Sequence, residues 1–161
     1  MSMNVVPNRT LAAIDIVRGA LGRCYMTIDG NREEMLWTKN IETNIEKEKT
    51  SFRVLGTLNR KNRAGGWTGT GSMNIFYCTT VFRQMMYKYA KTGVDTYFDM
   101  VLENNDEGSN VGKQIILLKN VNIDDVVLFK IDVDADELDE DVNFTFEGFE
   151  ILEDFAPVAG E

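Results

Sequence analysis

Apolar and polar residues alternate over most of this chain, which predicts strands, and a single stretch carries the three-to-four spacing of a helix. Residues 24–28 read as a strand, and Asp29-Gly30 after them is the strongest short hairpin signal in the sequence. Residues 36–45 are the expected return strand, with Trp37, Ile41 and Ile45 on one face. Met73, Ile75 and Tyr77 alternate with Ser72 and Asn74 as another strand. Further strands are expected over residues 96–102, 114–123, 126–133 and 142–151, each rich in β-branched or aromatic residues. The helix follows Thr80, its expected N-cap. Val81, Phe82, Met85, Met86 and Tyr89 form its apolar stripe, Arg83, Gln84, Lys88 and Lys91 take the other side, and Gly93 suits the C′ position.

Seven or so strands with one flanking helix predict a mainly β fold, a sandwich or barrel. The expected organisation is an N-terminal arm over residues 1–18, a β domain over 19–153 and a C-terminal tail over 154–161. The first 18 residues read equally as a short helix or an arm. Residues 46–69, rich in charge, Gly, Asn and Thr, predict a long loop or an extended hairpin, and loops of that length inside a domain are usually functional.

Charge divides the chain. Lys and Arg total 17 against 26 Asp and Glu, a formal net charge of −9. Residues 1–123 hold 16 basic and 12 acidic side chains, whereas residues 124–161 hold Lys130 against 14 acids. Lys47, Lys49, Arg53, Arg60, Lys61 and Arg63 make a basic segment in which Glu48 is the single acid. Asp132, Asp134, Asp136, Glu137, Asp139, Glu140 and Asp141 make the densest acidic one. Segments of opposite sign on one chain suggest head-to-tail self-association, against the plainer reading that both are solvated loops. A net acidic chain is a poor candidate for tight binding to a phosphate backbone.

Candidate chemistry thins out on inspection. The chain has no histidine, which removes Ser-His and Cys-His nucleophile systems and every His-containing zinc site. Cys24 and Cys78 read as reduced thiols. Residues 65–72 resemble a phosphate loop but lack its Lys and lead into a strand, so they read as a flexible loop. Asp132, Asp134 and Asp136 copy the start of an EF-hand loop, but Glu137 stands where the turn needs Gly and Asn143 where a bidentate Glu is required. No spacing singles out a catalytic carboxylate pair. The sequence argues against an enzyme and implies no cofactor. No apolar run approaches the ~20 residues of a membrane-spanning helix, and no basic-then-apolar export signal opens the chain. A monomeric β-barrel holding a small apolar ligand remains as the alternative reading.

Four stretches carry a resemblance. They are Thr38-Lys-Asn-Ile-Glu-Thr-Asn-Ile-Glu-Lys-Glu-Lys49, Thr68-Gly-Thr-Gly-Ser72, the helix-ending Tyr89-Ala-Lys-Thr-Gly93, and the acidic Ile131-Asp-Val-Asp134 with Glu140-Asp-Val-Asn-Phe-Thr-Phe-Glu-Gly-Phe149. Together they resemble the tail tube proteins of contractile-tailed phages, in particular those of Gram-positive phages, defective phage-like elements and phage-tail-like bacteriocins. The resemblance covers residues 19–150. It implies a β-sandwich or barrel protomer with one helix, six-membered rings stacked as a hollow tube, an inner β-barrel wall through which DNA passes as transient cargo, and a sheath gripping the outside. It further implies tape-measure and baseplate or tube-initiator partners, assembly in the bacterial host cytoplasm, and no membrane anchoring. Residues 46–69 match the family's extended loop that reaches neighbouring subunits. Joined to the charge pattern, this makes Lys47, Lys49, Arg53, Arg60, Lys61, Arg63 and Trp67 the candidate subunit contacts on one copy and, as a hypothesis from charge, Asp134, Asp136, Glu137, Asp139, Glu140 and Asp141 those on another.

Overall fold

The computed structural model describes residues 12–16 and 19–157, so most of the arm expected over residues 1–18 lies outside the described residues. Two short 3-10 turns, Ala13–Asp15 and Gly19–Leu21, lead into β1 (Gly22–Ile28). Asp29 (φ 52°) and Gly30 (φ 81°) then take left-handed conformations, the pair of positive φ values that a two-residue hairpin turn requires. The return strand is β2 (Asn31–Glu34), not residues 36–45. A two-residue turn forces Ile28 opposite Asn31, and this local pairing wins although β2 carries no apolar alternation. The chain leaves at Met35 to build β3 (Thr38–Arg53) and β4 (Arg60–Phe76), a hairpin of 16 and 17 residues. Residues 46–53 and 60–68, within the segment expected as a long loop or extended hairpin, are its outer half.

Helix α1 (Val81–Thr92) packs Phe82, Val81, Met85 and Met86 on the core, and Gly93 (φ 73°) ends it with its N–H donating to Tyr89 O at 2.8 Å. Two helix expectations need correction. Thr80 makes no side-chain cap; the hydroxyl of Thr79 accepts the Val81 N–H instead, at 3.4 Å. Arg83, expected on the solvent side, turns inward to a carboxylate.

The remaining strands are β5 (Phe98–Asn105), β6 (Lys113–Asp125), β7 (Asp139–Phe146) and β8 (Gly148–Glu153). Residues 126–133, expected as a strand, are not one, and the strand expected over 142–151 is broken at Glu147. Among the described residues every pairing is antiparallel, in one open sheet of order β2-β1-β5-β6-β7-β4-β3, with β8 also on β6.

The sheet turns a corner along β6. Its first part pairs with β5 and β8, and from Asn122 onward it pairs with β7. At the corner Asn120 takes φ 53°; its N–H donates to Asp99 Oδ1 at 3.3 Å and its amide to Glu147 Oε2 at 3.1 Å. Glu147, the residue between β7 and β8, donates its N–H to Lys119 O at 3.1 Å. Asn tolerates the left-handed region, so a bulge there bends both neighbouring strands at one level. The two halves of the sheet consequently share one core, with Met26, Met100, Leu118 and Val121 from one half and Met73, Ile75, Val142, Phe144 and Phe146 from the other.

The Gly-rich piece is part of that core and not a flexible loop. Gly69 and Gly71 are buried opposite Phe146 and Phe144. A Cβ on either glycine would fall inside the facing phenyl ring. Their missing side chains let the rings lie against the backbone, which is the close approach a strand glycine permits.

Candidate functional site

Beyond the Ile45–Gly69 pair the β3–β4 hairpin leaves the body as a two-stranded arm. Every residue from 46 to 68 is exposed, and among the described residues neither strand has a further strand partner there. The ladder persists to the Arg53–Arg60 pair, interrupted by one bulge where Glu48 faces Gly65 and Gly66. Leu55 and Leu58, in the tip, are fully exposed.

Alternation sorts the arm's cations onto two faces. Lys47, Lys49, Arg53 and Arg60 share the face that, nearer the body, carries the core; Lys61 and Arg63 share the other with Phe52. Arg53 and Arg60 stand directly opposite one another, a destabilising like-charge pair, and Arg60 Nε donates to Ser51 Oγ at 2.9 Å. None of the six belongs to an ion pair among the described residues. Trp67 marks the root, where the core ends: its ring lies edge-on to Phe149 at 5.7 Å and 6.2 Å from Phe146.

The acidic segment sits at the other end of β4. Phe76 pairs with Asp139, so the extended strand puts the acidic end about 50 Å from the arm tip. The structure does not bring the two charged segments together within one protomer. Part of the acidic run is also taken internally. Lys39 Nζ donates to Glu137 Oε1 (2.8 Å) and Asp139 Oδ2 (3.2 Å), and these bonds hold the Asp139 carboxyl below its usual range. Asp141 Oδ1 accepts from Asn74 Nδ2 at 2.8 Å.

Glu140 is no surface carboxylate. Its side chain is 1% exposed and accepts from Arg83 at 2.7 Å, while Arg83 also donates to Thr79 O and lies over the Tyr77 ring. Burial pushes the Glu140 carboxyl up, and the guanidinium works against that shift. Asp134 and Asp136 remain exposed and carry no ion pair among the described residues.

Two features were missed by sequence reasoning. One is a cleft of about 600 Å³ between β3 and the β1–β5–β6 side, where the sheet stays open; its walls mix Ile41 and Leu102 with Arg23, Glu34, Lys39 and Glu103. Such charged walls suit an open seam better than a pocket for an apolar ligand. Cys24 is half-buried beside it, and burial pushes its thiol up to about 11. The other feature is a strap over residues 126–138, which pairs with no strand among the described residues. Lys130 anchors it, its backbone N–H donating to Tyr77 Oη (3.2 Å) and its ammonium to Asp139 O (2.8 Å). Leu128, Phe129, Ile131 and Val133 of the strap are 73–95% exposed.

The family model for phage tail tube proteins matches residues 9–153, a span that contains the arm, the cleft and the strap. The chain belongs to the phage tail tube protein family. This tail tube protein is 34% identical over 143 residues to the phage-like element PBSX protein XkdM of Bacillus subtilis (strain 168), across 89% of this chain and 95% of that one. It is equally similar to the uncharacterized protein YqbM of the same strain, over the same shares. Among solved structures it resembles the SPP1 tail tube, with a TM-score of 0.61 at 9% identity over 84% of this chain and 78% of that one. It also resembles a chain of the sheath–tube complex of PVC, an extracellular contractile injection system, with a TM-score of 0.59 at 9% identity over 80% and 87% of the two chains. At such identities the likeness is one of fold.

Proposed function

We propose that this tail tube protein polymerises as stacked six-membered rings into the hollow inner tube of a contractile tail, whether of a phage or of a phage-tail-like particle. The observation that carries the reading is the separation of charge along β4, with unpaired cations at one end and exposed carboxylates at the other. One copy cannot satisfy both ends itself, so head-to-tail contact continues from copy to copy. Lys47, Lys49, Arg53, Arg60, Lys61 and Arg63 of one copy, with Trp67 at the arm's root, would face Asp134 and Asp136 of the next first, and behind them Glu137, Asp139 and Asp141, which Lys39 and Asn74 already hold in part. Glu140 drops out of that set. The open edges of β2 and β3 would supply lateral strand pairing, by which neighbours close a ring.

Such a tube does geometric work and breaks no bond in a substrate. A wall built from a chain of formal charge −9 would let DNA pass without holding its phosphates. The sheath protein would grip the outside, and tape-measure and baseplate or tube-initiator proteins would set length and start, with assembly in the host cytoplasm. Negative-stain microscopy of the purified protein tests the reading: hollow rods or six-fold rings are expected, and single particles at every concentration would overturn it. Reversing Arg60, Lys61 and Arg63 to Glu should cut tube yield; an unchanged yield would refute the arm's electrostatic role.

A further inference from the structure

We infer that the strap is the seat for the arm tip of a second copy, with Leu55 and Leu58 laid on Leu128, Phe129, Ile131 and Val133. The inference rests on the tube reading and deepens it by naming an apolar contact where that reading has a charge pairing. Leu55 and Leu58 are fully exposed at the end of a ribbon that carries them away from their own core. No described residue of their own protomer covers them. The strap has a strand's alternation, with Phe129, Ile131 and Val133 at every second position and the charged Lys130 and Asp132 between, yet among the described residues no strand pairs with it.

Its position is nonetheless fixed. Lys130 ties the middle of the apolar run to Tyr77 and Asp139, so the exposed side chains stand on an anchored base. Tyr77 directly follows β4, which places the strap at the end of that strand remote from the arm tip. A copy therefore cannot fill its own seat, and each contact leaves a free tip and a free strap for the next copy.

Charge sets the orientation of the contact. Arg53 and Arg60 flank the tip and face each other across the ladder without a carboxylate between them. Asp132 lies between Ile131 and Val133, Asp134 and Asp136 follow them, and the three belong to no ion pair among the described residues. Burial of the leucines supplies strength, and arginine–aspartate pairing fixes register.

Cross-linking tests the contact directly. In a Cys78→Ser background, a Leu58→Cys chain is mixed with a Val133→Cys chain, oxidised and separated without reductant. A covalent dimer joining residues 58 and 133 is expected, and none when the Leu58→Cys chain meets the background chain alone. Tubes without that cross-link would overturn the inference and leave the tube reading standing. A cross-link without tubes would support the contact and overturn the tube reading, and neither product would overturn both. As a second measurement, exchange of the amides over residues 126–133 should slow by about tenfold or more when the full chain assembles. Replacing Leu55 and Leu58 together by Ser should raise the protein concentration needed for assembly about tenfold, with the melting temperature unchanged. An unaltered threshold, or strap exchange that does not slow, would overturn the proposal.

Discussion

The inner and outer halves of the β3–β4 hairpin have the same backbone pairing and opposite surroundings. In the inner half one face of the ladder turns Ile41, Met73 and Ile75 into the core; beyond Trp67 both faces meet water. A ladder hydrogen bond replaces bonds to water and contributes about 1 kcal/mol net, and an isolated two-stranded ribbon is marginal on its own. The body is therefore held by what its strands bury, while the arm merely extends them. Its face continues the core-facing side with four cations in place of apolar side chains. That pattern is what the proposed contact with a second copy requires.

Removing Arg83 should have the largest effect on the body. Arg83→Met leaves Glu140 buried without its partner and should cost about 3–5 kcal/mol in urea denaturation at neutral pH. Burial already raises the folded-state pKa of Glu140, and loss of the guanidinium raises it further. The folded variant then binds the proton more tightly than the unfolded chain, so its deficit should shrink as pH falls through that raised value. A deficit independent of pH would contradict this.

Glycines sharpen the contrast within one strand. Gly71→Ala drives a methyl into the Phe144 ring and towards Glu42 O, and should cost about 1–3 kcal/mol. Gly66→Ala in the arm meets Glu48 Oε2 at 3.7 Å, an ordinary contact, and should stay within about 0.5 kcal/mol of the unchanged protein. Equal effects at both sites would break the comparison.

Smaller still is the Lys39–Asp139 contact on the body's surface. Its lowered Asp139 pKa contributes stability that is present above the unfolded carboxylate value and lost as pH falls through the folded one. Lys39→Ala should flatten that acid limb of the melting-temperature profile, and added salt should do the same. The smallest stability change belongs to the arm. Replacing Arg53 and Arg60 by Ser removes a facing like-charge pair and should leave the melting temperature unchanged or slightly higher, while tube assembly in microscopy is lost.

The residues that the sequence reading placed well are those whose partners are near in the chain. Asp29-Gly30, Gly93 and the Phe82–Met86 stripe act through neighbours a few positions away, and composition alone names them. Most of the errors come from remote partners; β2 and the Thr79–Val81 contact are exceptions, with partners close in the chain. Residues 126–133 have a strand's composition, but no strand among the described residues pairs with them; β2 has a poor one and is a strand because a tight turn holds it against β1. Gly69 and Gly71 read as flexible because the phenyl rings that need their space lie far along the chain. Glu140 reads as one more exposed acid because Arg83 is 57 residues away.

By itself the sequence determined a mainly β chain with one helix, the opposite charges of its two segments and, through four short stretches, the family. Periodicity, turn chemistry and net charge are local sums, so one dimension holds them. Only the tertiary structure decided which carboxylates are spent inside the protomer and which remain free, where β6 turns its corner, and that the arm tip and the strap face away from each other along β4. Those are statements about distance between remote residues, and burial and Coulomb energies depend on that distance, which the order of residues does not contain.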